Sequence, residues 1–472
     1  MTSPASSLPA QRIDAAGRIH VDVRAMLALA LPLMVNSAVQ LVLSLTDVWF
    51  IGHISTSALA AVSSVHWMAM AVVMALSGIG MAVQTVAAQA FGARCYTRAS
   101  QAVWIAMWGV LIATPLFVLI GLAGNLLVGL FGLPPDIHRQ AADFWLPRVA
   151  GSPFGAAAWA VFGFFNGVSR PRLTLLVTAV MAIANALLNW LFIFHFNWGV
   201  TGSGLATSAA QAIGLMLALL FFLDDEFRTR FRSHLTWTPH WRRVLQQFQL
   251  GLPMGLLVAA DLIGFSIFQV MQVKLDAVAG AATQLVMVLT AFSYMPGVGM
   301  AMAGTTLVGQ SIGAGDRNWA YKLGTRSITL ASCYMGGMGV LLALTGPWLL
   351  PWFTSGSDPQ TPAVIALGEQ LLWFAAVYQF FDGLNLGSSF CLRGAGDARV
   401  PAMLVLALSW IFFVPLSHVL TFAPGEGWFT SWPALGYGAL GGWSAVIAYI
   451  FVAGTLLTLR WRSRAWQRLR HL

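Results

Sequence analysis

Long apolar segments constrain the fold of this chain more than any other feature. Each is close to or longer than the roughly 20 apolar residues that cross a membrane as a helix. Only 9% of the 472 residues are charged, against about 25% in soluble domains. The sequence therefore predicts an all-α integral membrane protein with twelve transmembrane helices. The predicted spans are 25–51, 58–90, 100–131, 141–167, 173–196, 200–223, 245–272, 278–312, 324–350, 364–392, 400–422 and 436–459.

Basic residues occupy the two ends of the chain and alternate gaps between the predicted spans. Of the 25 lysines and arginines, all but Arg139, Arg148 and Lys274 follow this pattern. An excess of lysine and arginine marks cytoplasmic segments. We therefore predict that residues 1–24 form a cytoplasmic tail and that residues 461–472 form a basic cytoplasmic tail. The net charge of +9 then reflects how the chain is oriented in the membrane, and no nucleic-acid partner is expected.

The second half of the sequence repeats the first. Pro32 corresponds to Pro253 at a spacing of 221 residues, and Gln89 corresponds to Gln310 at the same spacing. Later, NGVSRPR at 166–172 resembles RGAGDAR at 393–399.

Six helices per half give the two repeats the same orientation in the membrane, and such repeats place a substrate path between them. We predict an N-lobe at 25–223, a charged cytoplasmic inter-lobe loop at 224–243, and a C-lobe at 244–460. The two six-helix lobes are expected to surround a central cavity.

Three carboxylates fall well inside predicted spans: Asp47, Asp261 and Asp382. A charge near the bilayer centre costs roughly 2.5–3.5 kcal/mol on insertion scales, so an intramembrane carboxylate indicates function by default. A structural carboxylate satisfied by a neighbour is the alternative for each of them.

Asp47 has candidate partners within the N-lobe. Asn185 and Asn189 are four residues apart on the predicted fifth helix, so their amides share one face. Thr207 on the sixth helix adds a hydroxyl. Carboxylate, amide and hydroxyl oxygens suit a monovalent cation, or a network in which the carboxylate carries a proton. Hydrogen bonding between helices is the alternative role of the two asparagines.

The C-lobe offers a second candidate group. Asp261 and Asp382 lie on the predicted seventh and tenth helices, and Gln284 lies on the eighth. If these helices meet, two carboxylates would share a dry cavity, where their mutual repulsion favours binding of a proton, a cation or a cationic substrate.

The chain resembles the multidrug and toxic compound extrusion (MATE) family, in particular its bacterial NorM-like and DinF-like branches. The resemblance extends over all twelve spans, and three segments carry it. They are LPLMVNSAVQLVLSLTDVWFIG, LVGQSIGAGD and YQFFDGLNLGSSFCLRGAGDAR.

The family resemblance implies the same N-lobe cation site, formed by Asp47, Asn185, Asn189 and Thr207. For the C-lobe it implies a site that binds the cation or the substrate, because Asp261 follows Pro253 by eight residues and Asp382 precedes an Arg-Gly pair by eleven. Pro32 and Pro253 are candidate hinges. The sequence departs from the family in having aspartate at 261, where glutamate is usual, and no second acid near Thr361.

The expected function is secondary active efflux. A Na⁺ or H⁺ gradient would drive export of amphipathic, often cationic compounds by alternating access, from a monomer with several spans in the cell (inner) membrane. No other cofactor and no enzymatic activity are expected. Two alternatives remain: a lipid-linked oligosaccharide flippase, which usually needs basic cavity residues that the predicted spans almost lack, and a polytopic receptor.

Overall fold

The computed structural model describes residues 8–14, 18–129, 134–354, 359–429 and 431–468. Within these ranges the chain is mainly helical, which confirms the all-α membrane fold. The long helices are α1 Val23–Gly52, α2 Thr56–Gly92, α3 Tyr96–Leu122, α5 Pro135–Ala150, α6 Ser152–Gly167, α7 Pro171–Trp190, α8 Gly199–Phe222, α10 Trp241–Leu275, α11 Ala277–Gly313, α12 Arg317–Leu349, α13 Thr361–Gly394 and α16 Gly438–Arg462. The short helices are α4 Gly124–Gly129, α9 Asp225–Phe231, α14 Arg399–Ala407 and α15 Val414–Thr421.

Eleven helical segments of the described chain are long and apolar enough to cross a membrane. The predicted fourth span is different, because it consists of two 16-residue helices, α5 and α6, on either side of Gly151. Pro147 lies inside α5 and Pro153 is the second residue of α6, and a proline has no N–H to continue the helical hydrogen bonds. Together α5 and α6 cover the predicted fourth span.

Two spans contain a wide π-helical turn. Leu191–His195 follows α7, and Leu408–Phe413 joins α14 to α15 within the span Arg399–Thr421. Such turns interrupt the regular hydrogen-bond pattern and often occur at functional sites. The first of them begins two residues after Asn189, a predicted site residue.

The described part of the predicted N-terminal tail contains two short strands. Strands β1 Gln11–Ile13 and β2 Ile19–Val21 form an antiparallel hairpin, and the Trp319 Nε1–H donates to the Pro9 carbonyl at 3.0 Å. The N-terminal segment thus contacts α12 in the second half of the chain. The predicted inter-lobe loop also contains structure, because α9 forms there and its Phe227 packs among buried aromatic residues of the first half.

Hydrogen bonds join the two halves at the end of the bundle that carries both termini. Gln89 Nε2 donates to the Gly394 carbonyl at 3.0 Å, and Gln310 Nε2 donates to the Gly167 carbonyl at 2.8 Å. Gln89 and Gln310 are repeat equivalents, and Gly167 and Gly394 belong to the second pair of repeated segments. Each half therefore makes the same bond to the other, related by the internal symmetry.

Glycines bring the helix backbones into direct contact between the halves. A Cβ on Gly92 would lie 1.9 Å from the Gln310 carbonyl oxygen, and one on Gly78 would lie 2.2 Å from that of Gly251. Both predicted hinge prolines are adjacent to such contacts. Pro32 precedes Leu33, whose backbone meets Gly299, and Pro253 lies between Gly251 and Gly255 in α10.

Candidate functional site

The four predicted N-lobe residues meet in one hydrogen-bonded group. Asn189 Nδ2 donates to Asp47 Oδ1 at 2.8 Å, and Thr207 Oγ1 lies 3.4 Å from Asp47 Oδ2. Asn185 Nδ2 donates to Thr207 Oγ1 at 3.3 Å, and Asn189 Nδ2 lies 3.2 Å from Asn185 Oδ1. Helices α1, α7 and α8 each contribute to the group, and the four-residue spacing in α7 places both amides on the same side.

This group is buried and rich in oxygen atoms. Asn185 and Asn189 are fully buried, Thr207 is 6% exposed, and Asp47 is half-buried. Asn189 Oδ1 is buried and, among the described residues, has no hydrogen-bond partner. Rotation of its amide by half a turn would direct that oxygen, in place of Nδ2, toward the Asp47 carboxylate. The residues can then surround a small cation with carboxylate, amide and hydroxyl oxygens.

A basic residue that was not predicted as part of the site lies beside this group. Arg148 belongs to α5, inside the fourth span, and interacts electrostatically with Asp47 and His66. Its Nη2 contacts the Met70 sulfur at 3.5 Å. Arg148 could have been identified from the sequence because it lies within the predicted span 141–167, and an intramembrane arginine indicates function as an aspartate does. Arg148 was not included in the predicted site because the predicted spans were treated as almost free of basic residues.

The C-lobe carboxylates are close enough to interact, and each has a hydrogen-bond donor. Asp261 Oδ1 accepts from the Tyr449 hydroxyl at 2.7 Å, and Asp382 Oδ1 accepts from Asn385 Nδ2 at 3.2 Å. Asp261 and Asp382 also interact electrostatically with each other. Asp382 is 5% exposed, and the ring of Tyr294 is within electrostatic range of both carboxylates. Tyr449 and Asn385 were not predicted, because neither carries a charge that marks it in an apolar span.

Gln284 does not join the C-lobe group in the structure. It is exposed, whereas its neighbours Thr283 and Leu285 are buried. Within the described chain, no hydrogen bond links Gln284 to Asp261 or Asp382. The buried face of α11 instead presents Thr283, whose hydroxyl accepts from the indole of a neighbouring tryptophan at 3.1 Å.

The fold and these two polar groups define a class of protein: a multi-pass helical membrane protein of two similar halves, each with a buried acidic group. This is an architecture of secondary transporters. The chain belongs to the MatE family, whose model matches residues 32–191 and again 253–419. The two matches begin 221 residues apart, at the repeated prolines, which confirms the internal repeat.

Relatives and solved structures cover nearly the whole chain. The chain is 29% identical to the probable multidrug resistance protein NorM of Brucella suis, over 95% of both chains. It is also 29% identical to the protein of that name from Chromobacterium violaceum, over 93% of both.

A crystal structure of MATE in complex with MaL6 has a TM-score of 0.81 at 19% identity, covering 94% of this chain and 97% of that one. An outward-facing multidrug resistance MATE family transporter has a TM-score of 0.81 at 17% identity, covering 94% and 96%. The chain therefore shares its fold with these structures across both of its halves.

Proposed function

We propose that this protein is a cation-coupled antiporter that exports amphipathic, often cationic compounds across the inner membrane, with both termini in the cytoplasm. The observation that carries the proposal is the Asp47 carboxylate, held inside an apolar span by Asn189 and Thr207. The names of the relatives, probable multidrug resistance proteins, support the substrate class. Family membership supports the transport reaction.

The contacts between the halves support alternating access. They concentrate at the end that carries the termini, where Gln89 and Gln310 bond across to the opposite half. If that end is cytoplasmic, as the arginine distribution indicates, the lobes are closed toward the cytoplasm. Asp47 lies in the half of α1 farther from this closed end, so a cation would reach it from outside the cell.

Replacement of Asp47 by asparagine tests the N-lobe site. The change keeps the shape of the side chain and removes its charge, so gradient-driven efflux should fall to background while the protein still reaches the membrane. Asp143→Asn is the matched control, because Asp143 is an exposed aspartate in the same lobe. Full efflux by Asp47→Asn, measured as fluorescent drug accumulation in cells, would place the coupling site elsewhere.

The coupling ion is proposed to be sodium. Asp47, the two amides and Thr207 supply several oxygen ligands, as a sodium ion requires, whereas a proton requires one titrating carboxylate. Purified protein in vesicles should therefore export drug under a sodium gradient when pH is equal on both sides. Background export there, with normal export under a pH gradient alone, would make Asp47 a proton carrier.

The C-lobe group is proposed to assist coupling or to bind a cationic drug. Asp382→Asn should reduce export of cationic compounds, and Asp261→Asn should reduce it less. Asp382 is nearly fully buried, whereas Asp261 is half-buried. Normal export by both variants would make these carboxylates structural.

A further inference from the structure

Arg148 carries a positive charge inside the fourth span, and no carboxylate of the described residues forms a salt bridge with it. Its Nη2 contacts a thioether sulfur, which is a weak acceptor. Its Nη1 is buried and, in the part of the chain that the structure describes, has no hydrogen-bond partner. Leaving a buried charged donor without a hydrogen-bond partner is more costly than leaving a neutral donor without one. A guanidinium in this position is suited to receive an anionic oxygen group.

Packing of α5 against α8 places Arg148 beside the Asp47 group. The Ser208 hydroxyl donates to the Pro147 carbonyl at 2.7 Å, and Ser208 directly follows Thr207. A Cβ on Gly204, three residues before Thr207, would lie 3.5 Å from the backbone nitrogen of Arg148. The Asp47 carboxylate and the backbone of Arg148 thus lie close to the same part of α8.

The two charges nevertheless do not pair with each other. Among the described residues, no Arg148 nitrogen lies within 4.0 Å of an Asp47 oxygen, although the two groups interact electrostatically. The Asp47 oxygens are directed at Asn189 and Thr207 instead. The N-lobe therefore contains one negative and one positive group that lie within electrostatic range and do not form an ion pair.

We propose that Arg148 binds a carboxylate of the transported compound while Asp47, in alternation with the coupling cation, binds its amine, so that the N-lobe site prefers zwitterionic amphiphiles. This inference rests on the proposed export function. A guanidinium forms strong, directional hydrogen bonds with a carboxylate. A zwitterion that occupies both groups brings no net charge into the apolar span, whereas a purely cationic compound brings its charge close to Arg148 and is repelled by it.

The test uses two probes that differ in one charge: Nε-dansyl-lysine and its carboxamide. Their gradient-driven transport is measured in everted membrane vesicles containing the wild-type protein or one of three variants. Arg148→Gln removes the charge, Arg148→Lys keeps the charge without the guanidinium fork, and Arg139→Gln is the control. Arg139 is an exposed arginine on the same helix.

The wild-type protein should transport the acid faster than the carboxamide. Arg148→Gln should lower transport of the acid by about tenfold or more, as expected for loss of a charge-assisted hydrogen bond, and should leave the carboxamide unchanged or faster. Arg148→Lys should retain part of the preference for the acid, and Arg139→Gln should retain all of it.

Three transport results would overturn the inference. They are equal loss of transport of both probes in Arg148→Gln, no loss for either probe, and faster transport of the carboxamide than of the acid by wild-type protein.

Binding of each probe to the purified protein, monitored by energy transfer from tryptophan to dansyl, tests the inference independently of transport. Tighter binding of the acid by wild-type protein, lost in Arg148→Gln, supports the inference, and equal binding of both probes refutes it. Failure of wild-type protein to transport either probe, despite this binding pattern, would instead refute the export function.

Discussion

Replacement of Gly92 by alanine should open the contact between the two halves at the end that carries the termini. An added Cβ would lie 1.9 Å from the Gln310 carbonyl oxygen and 2.7 Å from its carbonyl carbon. Those atoms belong to a helix backbone, so no side-chain rotation can relieve the clash. To reach 3.0 Å, below which such contacts essentially never occur, α2 and α11 must separate by about 1 Å.

A separation of about 1 Å breaks the hydrogen bonds around this contact. The bonds from Gln89 to Gly394, and from Gln310 to Gly167 and Ser169, are 2.8–3.0 Å long, and at about 4 Å they no longer count as hydrogen bonds. At about 1 kcal/mol each, two or three of them stabilise the closed state by roughly 2–3 kcal/mol. Their loss would shift the equilibrium away from this state by a factor of roughly 30 or more.

Electron paramagnetic resonance distances between spin labels can measure this shift. One label would be placed on Cys95, which is exposed after α2, and the other on Arg317→Cys at the start of α12, with Cys333 and Cys391 removed. The Gly92→Ala variant should populate longer distances than the wild type and should export drug more slowly.

Gly337→Ala is the control, because nothing lies within 4 Å of its added Cβ. An unchanged distance distribution in Gly92→Ala, together with normal transport, would refute the assignment of this contact as the closure between the halves.

The remaining predictions concern topology, the C-lobe and the N-terminal hairpin. A cysteine near Gln360 should react with an impermeant reagent added outside cells and one near His234 should not; the reverse pattern would contradict the cytoplasmic termini. Tyr449→Phe removes the donor to Asp261 and should lower thermal stability in detergent by about 1–3 kcal/mol, so an unchanged melting temperature would argue against that bond. Trp319→Phe keeps an aromatic ring but removes the N–H that donates to Pro9. Proteolysis within the first 20 residues should therefore become faster. An unchanged cleavage rate would show that other contacts hold the hairpin.

The sequence alone determined the membrane fold, its repeat and the four residues of the N-lobe hydrogen-bonded group. The length of each apolar segment and the placement of arginine can both be read from local composition. Eleven of the predicted spans therefore correspond to helical segments in the structure. The interrupted fourth span was still recognisable from its apolar residues. Asn185 and Asn189 were predicted to act together because a four-residue spacing places two side chains on one helix face, whatever the helix packs against.

Tertiary structure decided which faces of different helices meet. Nothing in the local sequence shows that Gln284 points away from Asp261 and Asp382 while Thr283 beside it is buried, because a helix that is apolar all round has no marked interior face. Tyr449 donates to Asp261, and Arg148 lies within electrostatic range of Asp47, only because of helix packing, since both residues are distant from these carboxylates in sequence. The sequence likewise marked Gln89 and Gln310 as equivalents, but their bonds across the two halves exist only because close glycine contacts bring the backbones together.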